Sequence, residues 1–114
     1  MKRGDIVLVP FYFTDYKGFK LRPALIVSAH QSQEEDLIVA FISTIIPGPI
    51  LHPTHFIIHL TDSYFPQTGL HKTSVIKCDK LMTISKLIIQ GWMGELPPEI
   101  ITIIDSKLRT ALSL

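Results

Sequence analysis

Three places in this 114-residue chain carry side chains equipped for chemistry. Arg22 follows a stretch holding Lys17 and Lys20 and stands before Pro23 at the mouth of an apolar run. Ser43 and Thr44 close a second apolar run. Lys77 and Asp79 lie two apart in a third, with Lys72 before them and Lys80 directly after. A guanidinium offers a fork of donors that matches phosphate oxygens, and it never loses its charge. A hydroxyl can hold a phosphate oxygen or orient a nearby cation. Residues two apart on a strand project to one face, and there a lysine favours the ionised form of its carboxylate neighbour. Each set also has a plainer use. Arg22 could form a surface ion pair with Asp15 or Asp79, Ser43 and Thr44 could satisfy backbone groups at a strand end, and Lys77 and Asp79 could be an ion pair near a turn.

The charges are not evenly spread. Residues 1–22 carry five cations against two acids; residues 23–71 carry four acids and no Lys or Arg; residues 72–86 carry four lysines against Asp79. Two basic segments could fold together into one positive groove, or they are simply a solvated surface. Aromatics interleave with the first basic segment: Phe11, Tyr12, Phe13, Tyr16 and Phe19. Rings exposed beside cations stack unpaired bases. Phe11 and Phe13 share one strand face and are expected in the core, which leaves Tyr12, Tyr16 and Phe19 as base platforms. Among the five histidines, His55 and His59 would lie ~13 Å apart on a strand, too far to share an ion. His52 and His55 flank Pro53 with no carboxylate at useful spacing, so no metal site is expected. His71 beside Lys72 is either a groove residue or a solvated loop histidine.

The elements that must hold these side chains are mostly short strands. Residues 6–9, 24–28, 37–43 and 55–60 read as strands, the third apolar enough to be buried on both faces or to carry a dimer face. Residues 74–78 and 81–84 read as two strands joined tightly around Asp79-Lys80, and 88–92 as one more. Pro97-Pro98-Glu99 starts the one persuasive helix, with Ile100, Ile101, Ile104, Leu108, Ala111 and Leu112 at helical spacing and Lys107 and Arg109 near its end. Short strands closed by a C-terminal helix suggest a small, curled antiparallel barrel.

Composition narrows the class. The length suits one domain spanning residues 1–114 with a real core. One cysteine, Cys78, excludes an internal disulfide framework. Mean hydropathy is +0.32, yet the longest apolar stretch, residues 37–47, falls short of the ~20 residues a spanning helix needs. No signal peptide is visible. A soluble, cytoplasmic protein is expected, its excess hydrophobicity covered in part by a partner.

The segment Gly4-Asp5-Ile6-Val7-Leu8-Val9-Pro10-Phe11, followed by Arg22-Pro23-Ala24-Leu25-Ile26-Val27-Ser28, resembles the opening of the MazF/PemK/Kid family of bacterial toxin–antitoxin toxins. Further matches are Ile38-Val39-Ala40-Phe41-Ile42-Ser43, Pro53-Thr54-His55, Ser74-Val75-Ile76-Lys77-Cys78-Asp79 with Thr83-Ile84, and the C-terminal helix. The resemblance implies a mainly β, SH3-like antiparallel barrel of the CcdB/MazF type with a C-terminal helix, working as a homodimer. It implies cleavage of single-stranded RNA at short sequences without a metal or other cofactor, and a cognate antitoxin whose acidic-hydrophobic tail lies along the dimer.

Such cleavage uses the RNA 2′-hydroxyl as nucleophile and leaves a 2′,3′-cyclic phosphate and a 5′-hydroxyl. The enzyme must align the attack, move two protons and stabilise a phosphorane. The resemblance assigns the last task to Arg22. It sets Ser43 where many members carry a catalytic threonine, and Lys77 and Asp79 where the Kid branch has an arginine and an aspartate acting as acid and base. Lys17, Lys20, Tyr16, Phe19, Thr44, Lys72 and Lys80 are the expected RNA-binding residues. Some positions depart from the pattern: Met82 replaces an arginine, Lys77 is not a bidentate donor, and the loop before Arg22 has no histidine. Two alternatives therefore stand beside the nuclease: a CcdB-like protein that binds a topoisomerase, and a weakened member that only binds antitoxin or RNA.

Overall fold

The computed structural model describes residues 1–12, 18–28 and 36–114. Six strands form one sheet: β1 (Asp5–Tyr12), β2 (Phe19–Ile26), β3 (Asp36–Ser43), β4 (His55–Ile58), β5 (Ser74–Ser85) and β6 (Gly91–Glu95). Their order is β4-β5-β3-β2-β1-β6, with every neighbouring pair antiparallel. A short helix, α1 (Phe65–Thr68), lies between β4 and β5, a single 3-10 turn covers Lys86–Ile88, and α2 (Pro98–Leu112) ends the chain. The curled antiparallel sheet with its C-terminal helix is the architecture the strand pattern implied.

The central strands are buried on both faces, so they read as continuous apolar runs rather than alternating ones. On one face Ile6, Leu25, Ala40, Ile42 and Ile76 pack with Ile104 of α2. On the other, Val7, Val9, Ala24, Ile26, Val39 and Ile84 pack together. Pro98 begins α2 and Glu99 stands in its first turn with Arg109 in its last, as dipole complementarity requires.

Four differences from the sequence reading matter. Strand β1 runs through Pro10 to Tyr12, because among the described residues β6 pairs with it only as far as Leu8 and proline is tolerated on an edge. Strand β2 starts at Phe19, which sets Arg22-Pro23 inside the strand; β3 pairs with β2 only over Ala24, Leu25 and Ile26, so Pro23 too lies where one side is open. The two strands expected around Asp79-Lys80 are one strand, β5. Both halves pair with β3, and opposite Ala40 and Phe41 the partner jumps from Leu81 to Lys77. Cys78, Asp79 and Lys80 form the resulting bulge, tied down where the Cys78 N–H donates to the Thr54 carbonyl at 3.0 Å. Helix α1 had no periodic signature; it ends at Gly69, whose φ is +74° and where a Cβ would sit 2.1 Å from the Met93 carbonyl oxygen.

Candidate functional site

The half-open edge of β2 has a consequence on the sheet face away from α2. Register aligns Val9 with Arg22, Ala24 with Phe41, and Phe41 with Lys77, so these side chains share that face. Where β3 leaves β2 uncovered, a cavity of about 340 Å³ opens, lined by Phe11, Arg22, Phe41, Ile42, Ser43, Ile45, Lys77 and Lys80. The sheet thus brings together Arg22, Ser43, Lys77 and Lys80, residues up to 58 positions apart in sequence. Among the described residues none of the three cations has an ion-pair partner, and the wall carries no carboxylate.

Ser43 ends β3, and its Oγ accepts the backbone N–H of Ile45 at 3.1 Å. That contact is the strand-end use foreseen for it, but it occupies an acceptor site only and leaves the hydroxyl proton for a ligand oxygen. Phe11 is not a core residue: it is 36% exposed and meets Phe41 edge-on at 5.2 Å between ring centroids. The end of β1 explains this, since among the described residues β6 pairs with it only as far as Leu8. Lys20 stands opposite Phe11 in register, beside the cavity, and Phe19 is exposed one position earlier. Tyr16, Lys17 and Phe13 lie outside the described residues, as does the side chain of Tyr12.

Thr44 and Lys72 are brought together elsewhere. They line a second cavity of about 340 Å³ with Leu21, Pro23, His71 and Ser74. Leu21 and Pro23 flank Arg22 and point to the opposite face, so these two residues lie across the sheet from the cation-lined cavity. Met82 stands opposite Val39 in register and is partly exposed.

Asp79 sits in the β5 bulge between two lining lysines, yet it is not on the cavity wall. His55, on neighbouring β4, donates from Nε2 to Asp79 Oδ1 at 3.1 Å. Partial burial raises the Asp79 pKa, but its own backbone N–H and the adjacent His55 and His52 outweigh this and hold the carboxyl below its ordinary value. His52 lies against His55 with ring centroids 5.0 Å apart. The sequence spacing hid this cluster, because the carboxylate comes from a strand 24 residues on. Cys78, by contrast, faces the core; burial pushes its thiol up to about 11, so it is no nucleophile near neutral pH.

The fold and this site define a small antiparallel β protein with a cation-lined, aromatic-walled cavity at the open end of its second strand. The chain belongs to the PemK-like, MazF-like toxin family of type II toxin–antitoxin systems, which it matches over residues 2–112. No curated protein sequence matches it significantly. An endoribonuclease from a mycobacterial species has the same fold, with a TM-score of 0.76 at 22% identity, over 100% of this chain and 92% of that one. So does a mycobacterial endoribonuclease in complex with its cognate antitoxin, with a TM-score of 0.76 at 23% identity over 100% and 96% of the two chains. A MazE–MazF structure from Deinococcus radiodurans follows at 0.72 and 16%, again over 100% and 96%.

Proposed function

We propose that this chain is a single toxin domain acting in the cytoplasm as a metal-independent, sequence-specific endoribonuclease on single-stranded RNA. The observation that carries the reading is the cavity in which Arg22, Lys77 and Lys80 converge beside Ser43 with no carboxylate on the wall. Three clustered cations suit a phosphodiester, and a divalent ion would find no anionic ligand among them. Phe11 and Phe41 supply ring surface next to the charges.

In this mechanism the scissile phosphate sits against Arg22, whose fork stabilises the phosphorane. Ser43 donates its hydroxyl proton to a non-bridging oxygen. Asp79, ionised at neutral pH and adjacent in the chain to Lys80 of the cavity wall, takes the 2′-hydroxyl proton. Lys77 donates a proton to the departing 5′-oxygen, which leaves as the 5′-hydroxyl. Lys80 and Lys20 hold flanking phosphates, Phe19, Tyr16 and Lys17 extend the track, and Thr44 and Lys72 meet RNA that crosses the sheet edge. The solved relatives that include an antitoxin support a cognate antitoxin as partner, and a homodimer is the proposed working unit.

The test is to incubate purified protein with long single-stranded RNA in EDTA, beside Arg22→Ala. Cleavage by the parent only, leaving 2′,3′-cyclic phosphate ends, is expected. Equal cleavage by both proteins, or loss of cleavage in EDTA, would overturn the assignment. Intact RNA with trapped topoisomerase–DNA complexes would favour the protein-binding alternative.

A further inference from the structure

Among the described residues outside the cation-lined cavity, His52, His55 and Asp79 bring three coordinating side chains together. We propose that these three residues form a reversible binding site for a divalent first-row transition-metal ion, zinc foremost. Each offers one ligand atom, and the three atoms all lie within 4.8 Å of one another. Two imidazole nitrogens and one carboxylate oxygen are a donor set that suits zinc, with the remaining position open to water.

The backbone explains how residues so far apart in sequence converge. Pairing of β4 with β5 puts His55 opposite Lys77, and the bulge at Cys78, Asp79 and Lys80 turns the carboxylate onto the His55 ring. The resulting separation of His55 Nε2 and Asp79 Oδ1 is 3.1 Å. Two ligands sharing one ion, each about 2.0–2.2 Å from it at ordinary coordination angles, lie roughly 2.9–3.5 Å apart. A metal can therefore replace the proton between these atoms with little movement of either.

The third ligand is oriented by a neighbour. His52 Nδ1 lies 2.8 Å from the hydroxyl oxygen of Thr54, a buried residue. The Thr54 backbone N–H also points at Nδ1, at 3.4 Å; in the tautomer whose Nδ1–H donates to the hydroxyl, Nε2 carries the lone pair a metal requires. His55 lacks such support. It is 8% exposed, and its Nδ1 is buried with no hydrogen-bond partner. Coordination through Nε2 shifts the ring proton to Nδ1, where no acceptor meets it. Missing outer partners of this kind weaken metal binding about 10- to 100-fold, so the site is exchangeable rather than structural. Because the ion would occupy Asp79, it would also slow RNA cleavage; that consequence rests on the role given to Asp79 above.

The experiment titrates zinc chloride into the EDTA-stripped, desalted full-length chain by calorimetry, with cobalt(II) absorption as a second measurement. His52→Ala and Asp79→Asn alter exposed residues, and circular dichroism checks that both variants fold. One equivalent of zinc is expected to bind the parent, with affinity at least about tenfold lower in either variant. No saturable binding, or equal affinity in parent and variants, would overturn the site. In a parallel assay zinc should inhibit cleavage by the parent over the range in which it binds, and inhibit His52→Ala only at about tenfold higher concentration. A parent that binds zinc in this way yet never cuts RNA in EDTA leaves the metal site standing and removes the nuclease reading instead.

Discussion

Two groups of cations in this molecule are treated in opposite ways. At the start of β1, Lys2 donates to Asp5 from both its backbone N–H and its ammonium, and reaches Glu95 as well. Arg3 donates to the Val27 carbonyl at 2.8 Å and pairs with Asp105 of α2. Burial raises the Asp5 pKa, but the Lys2 contacts outweigh it and hold the carboxyl below its ordinary value. Around the cation-lined cavity, Arg22, Lys77 and Lys80 converge with no ion-pair partner among the described residues. Charges that hold a fold together come with their counter-charges, because an uncompensated cation in a partly buried place costs free energy. A set of like charges gathered without counter-charges is instead matched to an anion that arrives later.

The sharpest way to break this contrast is to exchange the consequences of its two arginines. Arg22→Ala should lower the RNA cleavage rate about 10²- to 10³-fold, comparable to loss of one transition-state donor, while its thermal midpoint stays within a degree or two of the parent's. A large fall in midpoint would put Arg22 with the structural group.

Asp5→Asn should weaken the N-terminal cluster by about 1.5–3 kcal/mol at pH 7, read by urea unfolding. The sign of its pH dependence is set by a folded-state pKa lying below the unfolded value of about 3.9. The parent's advantage over Asp5→Asn is then full at neutral pH and shrinks as pH falls through the depressed folded value. An advantage that grows in acid would contradict the pairing. Arg3→Ala should cost a smaller ~1–2 kcal/mol, through lost contacts to Val27 and Asp105, with cleavage per folded molecule unchanged.

Smallest of all, Lys80→Ala should reduce the salt dependence of binding to a non-cleavable single-stranded oligonucleotide. The slope of log affinity against log salt should drop by about 0.7 for one lost phosphate contact. Lys2→Ala should leave that slope where it is, and an equal drop in both would erase the distinction.

Much of this was legible before folding. The strand cores, the helix from Pro98 with Ile104 on its buried side, and Arg22, Ser43 and Lys77 as a set all follow from local pattern and from the family likeness. Strand limits were misplaced at Pro10 and Arg22-Pro23, because whether proline ends a strand depends on whether a partner strand covers it there. Helix α1, four residues long, has too few positions for a period. The strand face that Phe11 shares with Phe13 predicts the core for it, yet β1 outruns β6 at that point. His55 and Asp79 looked unrelated at a spacing of 24 residues.

The sequence by itself determined which cations, hydroxyls and carboxylates this chain has and which runs must be strands, since residue type and short-range periodicity are local properties. Only the tertiary structure decided who meets whom. The incomplete pairing of β3 with β2 opened the cavity that gathers Arg22, Ser43, Lys77 and Lys80. One bulge in β5 separated Lys77 from Asp79 and turned the carboxylate toward His55. The physical reason is that pairing register and bulges are set by the whole sheet's competition for hydrogen bonds and buried surface, which no short stretch of chain contains.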